Sequence, residues 1–139
     1  MVDIDVTKKP LPTPNAVSAP YWSGLADGQV RLQRCSVCSR VQFYPRPACR
    51  YCGSRSLHWE DLSGRATLYS YTVVYRAPFE AFADDVPYVL AVVELEEGPR
   101  LLTTLEDVSE EDIQIGMSLD PIFDRINDDV TLLRFRPAS

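Results

Sequence analysis

Cys35-Ser36-Val37-Cys38 and Cys49-Arg50-Tyr51-Cys52 hold all four cysteines of the chain, as two C-x2-C pairs with ten residues between them. Thiolates two residues apart can close on one ion from a tight knuckle turn. Two such knuckles supply the four sulfurs of a tetrahedral zinc site, at about 2.3 Å each. Cys35, Cys38, Cys49 and Cys52 are therefore the expected ligands of a structural Zn2+. Four thiolates fill the coordination sphere and leave no position for a reactive water, so the metal is expected to hold the fold and do no chemistry. Gly53 directly follows the second knuckle, where a backbone turning past a metal needs positive φ; Ser39, in the equivalent place after the first, is a weaker match.

Two other uses of paired cysteines fit less well. A pair of disulfides calls for an oxidising compartment, and residues 1–9 are mixed and charged, with Pro10, Pro12 and Pro14 near them, so no apolar signal segment is expected. A thioredoxin-like redox site needs one such pair, not two in one short segment. A cytoplasmic protein with its thiols free for metal is the expectation.

At 139 residues and 45% hydrophobic, the chain has room for one ordinary core and a small appendage. No apolar run approaches the ~18 residues of a membrane span. The formal charge of −6 opposes general binding to phosphate backbones. Its distribution says more. From Arg31 to Arg65 there are seven arginines against Glu60 and Asp61, a local net of +5 that leaves −11 for the remainder. Those arginines either neutralise the thiolates or form a face for an anion or a partner.

In chain order, residues 1–16 read as an extended lead-in, and Ser18-Ala19-Pro20 as a helix start, with Gly28 as its terminator. Tyr21, Trp22 and Leu25 share a helical face; the two aromatics pack into the protein's own core or anchor the arm on a partner. Residues 29–33 alternate as a strand, with Val30 and Leu32 on one side and Arg31 and Gln33 on the other. Further short strands are expected at 41–44 and 57–59, making a zinc ribbon too small to fold without its ion. His58, the only histidine, lies outside the ligand spacing and reads as a surface residue.

Longer strands follow. Residues 66–75 alternate, with Leu68, Ser70, Thr72 and Val74 on one face, Tyr69, Tyr71, Val73 and Tyr75 on the other, and both faces partly covered. A loop over 76–86 exposes Phe79 and Phe82 unless they tuck in. Strands are expected at 88–95, 101–105, 118–123 and 131–135, with a capped helical turn at Ser109-Glu110-Glu111-Asp112. Five strands in this order suggest a small Greek-key barrel of the OB type, although periodicity leaves another five-stranded barrel open.

A resemblance narrows this. Tyr21-Trp22-Ser23-Gly24-Leu25, Leu32-Gln33-Arg34-Cys35, Phe43-Tyr44-Pro45-Arg46-Pro47, Cys52-Gly53, Ser63-Gly64-Arg65-Ala66, Tyr69-Ser70-Tyr71-Thr72, Pro87-Tyr88 and Gly98-Pro99-Arg100-Leu101-Leu102-Thr103 occur in this order over residues 21–137. In that order and spacing they resemble the zinc-ribbon/OB-fold proteins of the domain-of-unknown-function 35 type. The resemblance implies a mainly β chain. It divides into a lead-in and helical arm (1–28), a rubredoxin-like zinc ribbon (29–61) and a five-stranded OB-fold barrel (62–139). It also implies a non-catalytic subunit in lipid or steroid metabolism, docking on a thiolase-fold enzyme (thiolase, synthase or steroid side-chain aldolase) or a MaoC-type hydratase. The resemblance implies, too, that the subunit helps to hold acyl-CoA. Arg40, Arg65, Arg76, Phe79 and Phe82 are the expected acyl-CoA or partner contacts, and Tyr21 and Trp22 the expected docking anchors.

The residues themselves offer no catalytic set: one histidine, no cysteine beyond the four ligands, and adjacent loop acids at Asp84-Asp85. A free-standing acyl-CoA hydrolase or hydratase has no nominee for its chemistry. The alternative is a zinc-ribbon/OB-fold module for nucleic acid, which would need basic residues and exposed aromatics on a barrel that instead carries most of the negative charge. Neither nucleic acid nor membrane is an expected partner.

Overall fold

The computed structural model describes residues 8–139; the part of the extended lead-in over residues 1–7 lies outside the described residues. Helix α1 spans Ala19–Ala26. Its start is set further upstream than Ser18: the Asn15 side-chain oxygen accepts from the backbone N–H of Val17 at 3.0 Å and of Ser18 at 2.9 Å, a local turn that delivers the chain into the helix. Gly28 ends the arm at φ +74°, a conformation that favours glycine.

Strands β1 (Val30–Cys35), β2 (Val41–Gln42) and β3 (Leu57–Leu62) form the ribbon sheet in the order β2-β1-β3, all antiparallel. Strands β4 (Ala66–Val74), β5 (Tyr88–Leu95), β6 (Arg100–Leu105), β7 (Ser118–Arg125) and β8 (Thr131–Pro137) close a barrel in the order β4-β5-β6-β8-β7. That order, with β6 and β8 parallel, is the five-stranded OB topology. Two short 3-10 turns, Glu80–Phe82 and Glu110–Asp112, sit between β4 and β5 and between β6 and β7. No helix among the described residues is long and apolar enough to cross a membrane.

One apolar core runs through all three parts. Tyr21 and Leu25 of α1, Val30, Leu32 and Val41 of the ribbon, and Leu68, Val93, Leu105, Leu119 and Phe135 of the barrel belong to a single buried cluster. Helix α1 is the bridge, packing on β1 on one side and on β7 and β8 on the other. Each large side chain buried there contributes about 1.5–3 kcal/mol.

Strand β4 departs from simple alternation. A bulge lies between Leu68 and Ser70, so Leu68 pairs with Val93 while Ser70 pairs with Val92. The inward set therefore switches from even to odd numbers: Ala66 and Leu68 before the bulge, Val73 after it. Tyr69, Ser70, Tyr71 and Thr72 are left exposed, so the two faces of this strand are not both covered as the alternation suggested. Phe79 and Phe82 do tuck in, ring to ring at 4.9 Å and 77°, and Phe82 also meets Tyr88. Lys9 of the lead-in joins them, 5.6 Å from the Phe82 ring and 2.6 Å from Asp85.

Gly64 links ribbon to barrel at φ +78°, and a Cβ on it would lie 2.8 Å from Pro121 Cγ on β7. Gly64→Ala combines backbone strain with this clash, and is expected to cost about 1–3 kcal/mol in denaturant unfolding of the zinc-loaded protein.

Candidate metal centre and its surroundings

The two knuckles repeat one backbone design. Strand β1 delivers Cys35, whose N–H donates to Arg40 O, and the N–H of Ser39 returns to Cys35 O at 2.9 Å. In the second knuckle the N–H of Cys49 donates to Ser54 O, and Gly53 N–H returns to Cys49 O at 2.9 Å. Gly53 has φ +79° and Ser39 φ +66°, so Ser39 accepts the strained conformation that its glycine counterpart adopts freely.

The four Sγ atoms lie within 4.8 Å of one another, with Cys35–Cys52 and Cys38–Cys49 both at 3.6 Å. Sulfurs at about 2.3 Å from a tetrahedral zinc lie about 3.8 Å apart, so the constellation fits that ion. Backbone donors prepare the anionic form. The N–H groups of Cys38 and Val37 point at Cys35 Sγ, at 3.5 and 3.4 Å, and Tyr51 N–H points at Cys49 Sγ at 3.4 Å. The Cys38 N–H is the main cause that brings the Cys35 thiol down to about 6. Zinc held by these four residues supplies folding energy and crosslinks the two knuckles.

Beneath the knuckles lies a polar clasp that alternation concealed, since Gln33 reads there as an outward residue. Gln33 and Gln42 are both buried and face each other across β1 and β2. Gln42 Nε2 donates to Gln33 Oε1 at 2.6 Å, and Gln33 exchanges hydrogen bonds at 2.9 Å with the backbone N–H and C=O of Arg46. Arg50 N–H donates to Gln42 Oε1 at 2.9 Å. Two side chains thus satisfy the backbone of the inter-knuckle loop and set where Cys49 arrives.

The remaining candidate residues occupy separate settings. Tyr21 is 5% exposed and belongs to the core; burial, with a smaller contribution from Tyr44, pushes its phenol far above the ordinary value. Trp22 is half-buried and its indole Nε1 has no hydrogen-bond partner. It borders a groove of about 330 Å3 in which Phe43 and Tyr44 of the ribbon face Leu90, Leu102 and Leu133 of the barrel. Arg40 stacks on Tyr51 at the ribbon tip, 4.8 Å from the ring centroid. Arg65 is ion-paired with Glu96 at 2.8 Å, and Arg76 is exposed in the loop that carries Phe79 and Phe82. His58 is exposed, its Nδ1 3.2 Å from Ser36 Oγ, and the four-cysteine cluster does not include it.

Two variants probe the centre. Cys49→Ser is expected to reduce bound zinc from about one per chain to a small fraction of that, read by metal analysis, and to lose the ribbon's share of the circular dichroism signal. Gln42→Leu leaves the N–H of Arg50 without its acceptor; it is expected to cost about 1–3 kcal/mol and to weaken zinc retention against a chelator by about 10–100-fold.

Comparison with known proteins agrees with this architecture. Residues 22–58 match the family description "ChsH2, rubredoxin-like zinc ribbon domain", and residues 59–124 match "ChsH2, C-terminal OB-fold domain". A "DUF35 domain-containing scaffold protein" of Methanocaldococcus jannaschii is 41% identical over 98 residues, 69% of this chain and 68% of that protein. A "Probable enoyl-CoA hydratase alpha subunit" of Thermomonospora curvata is 35% identical over 130 residues; the match takes in 94% of this chain but spans only 40% of that longer protein. A solved structure described as "Ltp2-ChsH2(DUF35) aldolase" superposes with a TM-score of 0.81 at 34% identity, covering 93% of this chain and all of that one. The two domain matches lie end to end over residues 22–124, and the chain belongs to the ChsH2-type zinc-ribbon/OB-fold family, DUF35.

Proposed function

We propose that this chain is a non-catalytic accessory subunit that docks on an acyl-CoA-processing enzyme, of thiolase fold or of MaoC hydratase type, and helps to hold the acyl-CoA. The observation that carries the proposal is the groove between ribbon and barrel. Leu102 is 67% exposed and Tyr44 38% exposed at its edge, and the half-buried Trp22 borders it. Large exposed apolar groups along a groove describe a surface that a partner completes. Trp22 is the docking anchor in this reading, with Tyr21 supporting it from the core.

The names of relatives support the partner class: a scaffold protein, a hydratase subunit and an aldolase. The one imidazole lies exposed against Ser36 and the four thiols are gathered for a metal, which supports a subunit without chemistry of its own. The ribbon and arm (1–61) would carry the anchor and the metal, and the barrel (62–139) the second wall of the groove. Arg40, Arg65, Arg76, Phe79 and Phe82 are assigned to the acyl-CoA side, Arg65 with part of its charge already taken by Glu96. Four free thiols kept for metal suit a reducing compartment, so the complex is assigned to the cytoplasm.

Tagged protein purified from its native host, with mass spectrometry of what accompanies it and zinc analysis of the same sample, tests the assignment. A thiolase-fold or hydratase subunit at fixed ratio, with about one zinc per chain, is the expected result. Leu102→Glu is expected to weaken that association at least about tenfold, without lowering the melting temperature of the free chain, because the side chain is exposed. A protein that emerges alone, or with nucleic acid, would sink the proposal.

A further inference from the structure

The second zinc knuckle carries a basic feature that neither fold nor metal explains. Residues 35–59 contain four arginines (Arg40, Arg46, Arg50 and Arg55) and no Asp or Glu. Their neighbours on the strands are neutralised: Arg31 pairs with Asp61 at 2.6 Å and Arg34 with Glu60 at 2.7 Å. Among the described residues none of the four tip arginines has a carboxylate partner, in a chain whose net charge is −6.

Neutralising the metal site does not account for them. The cysteine sulfurs take their donors from the backbone N–H groups of Val37, Cys38 and Tyr51, and no guanidinium donates to a sulfur among the described residues. Two of the arginines are instead held by a third residue. Arg40 and Arg50 lie 4.8 and 5.4 Å from the centroid of the same ring, Tyr51, which is 44% exposed. Arg50 is further fixed by donating from Nη1 to Phe43 O at 3.2 Å. Stacking spends the faces of the guanidinium planes and leaves most of their edge N–H donors free. Two forks positioned in this way suit the oxygens of a phosphate group, which accepts bidentate, charge-assisted hydrogen bonds.

We infer that Arg40, Tyr51 and Arg50 form a phosphate clamp at the ribbon tip, and that the phosphate it takes is that of the nucleotide end of the acyl-CoA. The clamp itself stands on the ribbon geometry; only the source of its phosphate rests on the acyl-CoA reading above. It moves the phosphate contact away from Arg65, whose guanidinium is occupied by Glu96. It narrows the seven arginines of residues 31–65 to Arg40 and Arg50 and adds Tyr51. Arg46 and Arg55 raise the local potential without belonging to the clamp.

The test is titration of the zinc-loaded chain with CoA, with dephospho-CoA and with inorganic phosphate, followed by backbone amide shifts. Saturable movement of the amides of residues 40, 50 and 51 with CoA is expected, with weaker response to dephospho-CoA. Arg40→Gln/Arg50→Gln should weaken the CoA response at least about tenfold, with zinc content unchanged, while Arg125→Gln, at an exposed barrel arginine paired with Asp128, should bind as the wild type does. If inorganic phosphate moves these amides and CoA does not, the clamp stands and the acyl-CoA source fails. CoA shifts confined to other residues and indifferent to the double substitution would overturn the clamp and leave the acyl-CoA reading in place. Silence of all three ligands at residues 40, 50 and 51 would overturn the clamp outright.

Discussion

Closure of four thiolates on one ion is the constraint from which the ribbon follows. Its sheet is slight: β2 is two residues long, and the 14 residues from Phe43 to Ser56 contain no regular strand or helix. A segment of this kind cannot offset the entropy of its own ordering by burial alone. The metal makes up the difference, because binding free energy at a site absent from the unfolded chain counts directly as folding free energy. The protein invests backbone geometry in that site, with positive φ at both Ser39 and Gly53 and N–H donors turned toward Cys35 and Cys49. Strain of this kind persists where surrounding contacts over-determine it, and here the Gln33–Gln42 clasp beneath the knuckles supplies them.

The ribbon is not left as an independent bead. Leu32, fully buried at the centre of β1, and Tyr21 and Leu25 of α1 share a core with Phe135 and Leu119 of the barrel. The helix is too short to be stable alone, and it is ordered because it lies between the two sheets. On the seam beside it, β6 and β8 share one paired position, Leu105 with Phe135; side chains reinforce this sparse ladder, through Thr103 Oγ1 to Leu133 O and through Arg134 Nη1 to Thr104 Oγ1, while the same guanidinium ties β8 to Asp124 of β7. Arm, ribbon and barrel therefore pack on one core as a common support for any surface they present jointly, which is what a groove walled by ribbon aromatics on one side and barrel leucines on the other requires.

Much of this was legible because the signals were chemical or periodic. C-x2-C spacing named the ligands, and strong β-runs named β5 through β8 to within a few residues. What escaped was decided by contacts that alternation cannot report. Gln33 alternates like a surface residue, yet its amide is the hinge of a buried network, and only the presence of a second glutamine at Gln42 hinted at it. The run Tyr69-Ser70-Tyr71-Thr72 is compatible with either register, so one extra residue at the bulge reversed which side faces the core. Asn15 started the helix through a local turn, while the more familiar signal at Ser18 made no side-chain cap. The scattering of Arg40, Arg65 and Arg76 over three settings reflects the same limit: composition finds charge, and tertiary pairing decides which charge is free.

The distribution of paired and unpaired arginines separates support from recognition. Arg65, Arg100, Arg125 and Arg134 of the barrel each meet a carboxylate within 3.0 Å, and Arg100 also stacks on Tyr69 at 3.8 Å. Exposed pairs of this kind contribute little to stability, at most about 1 kcal/mol each, but they occupy these cations on a barrel that is negative overall and disfavour adventitious anions there. The ribbon tip has no such acids to spend: from residue 35 to 59 every charged side chain is an arginine. The filled metal site, four thiolates with one Zn2+, carries about −2 and offsets only half of that charge. A surplus of cationic groups beside a rigid metal-closed turn is costly to the isolated chain, since like charges repel, and a fold that sets two of them against the one Tyr51 ring keeps them at fixed positions. Preorganisation of that sort lowers the entropy lost on meeting an anion, and on that ground the inferred clamp is placed at the ribbon tip and not on the barrel, whose arginines largely face carboxylates.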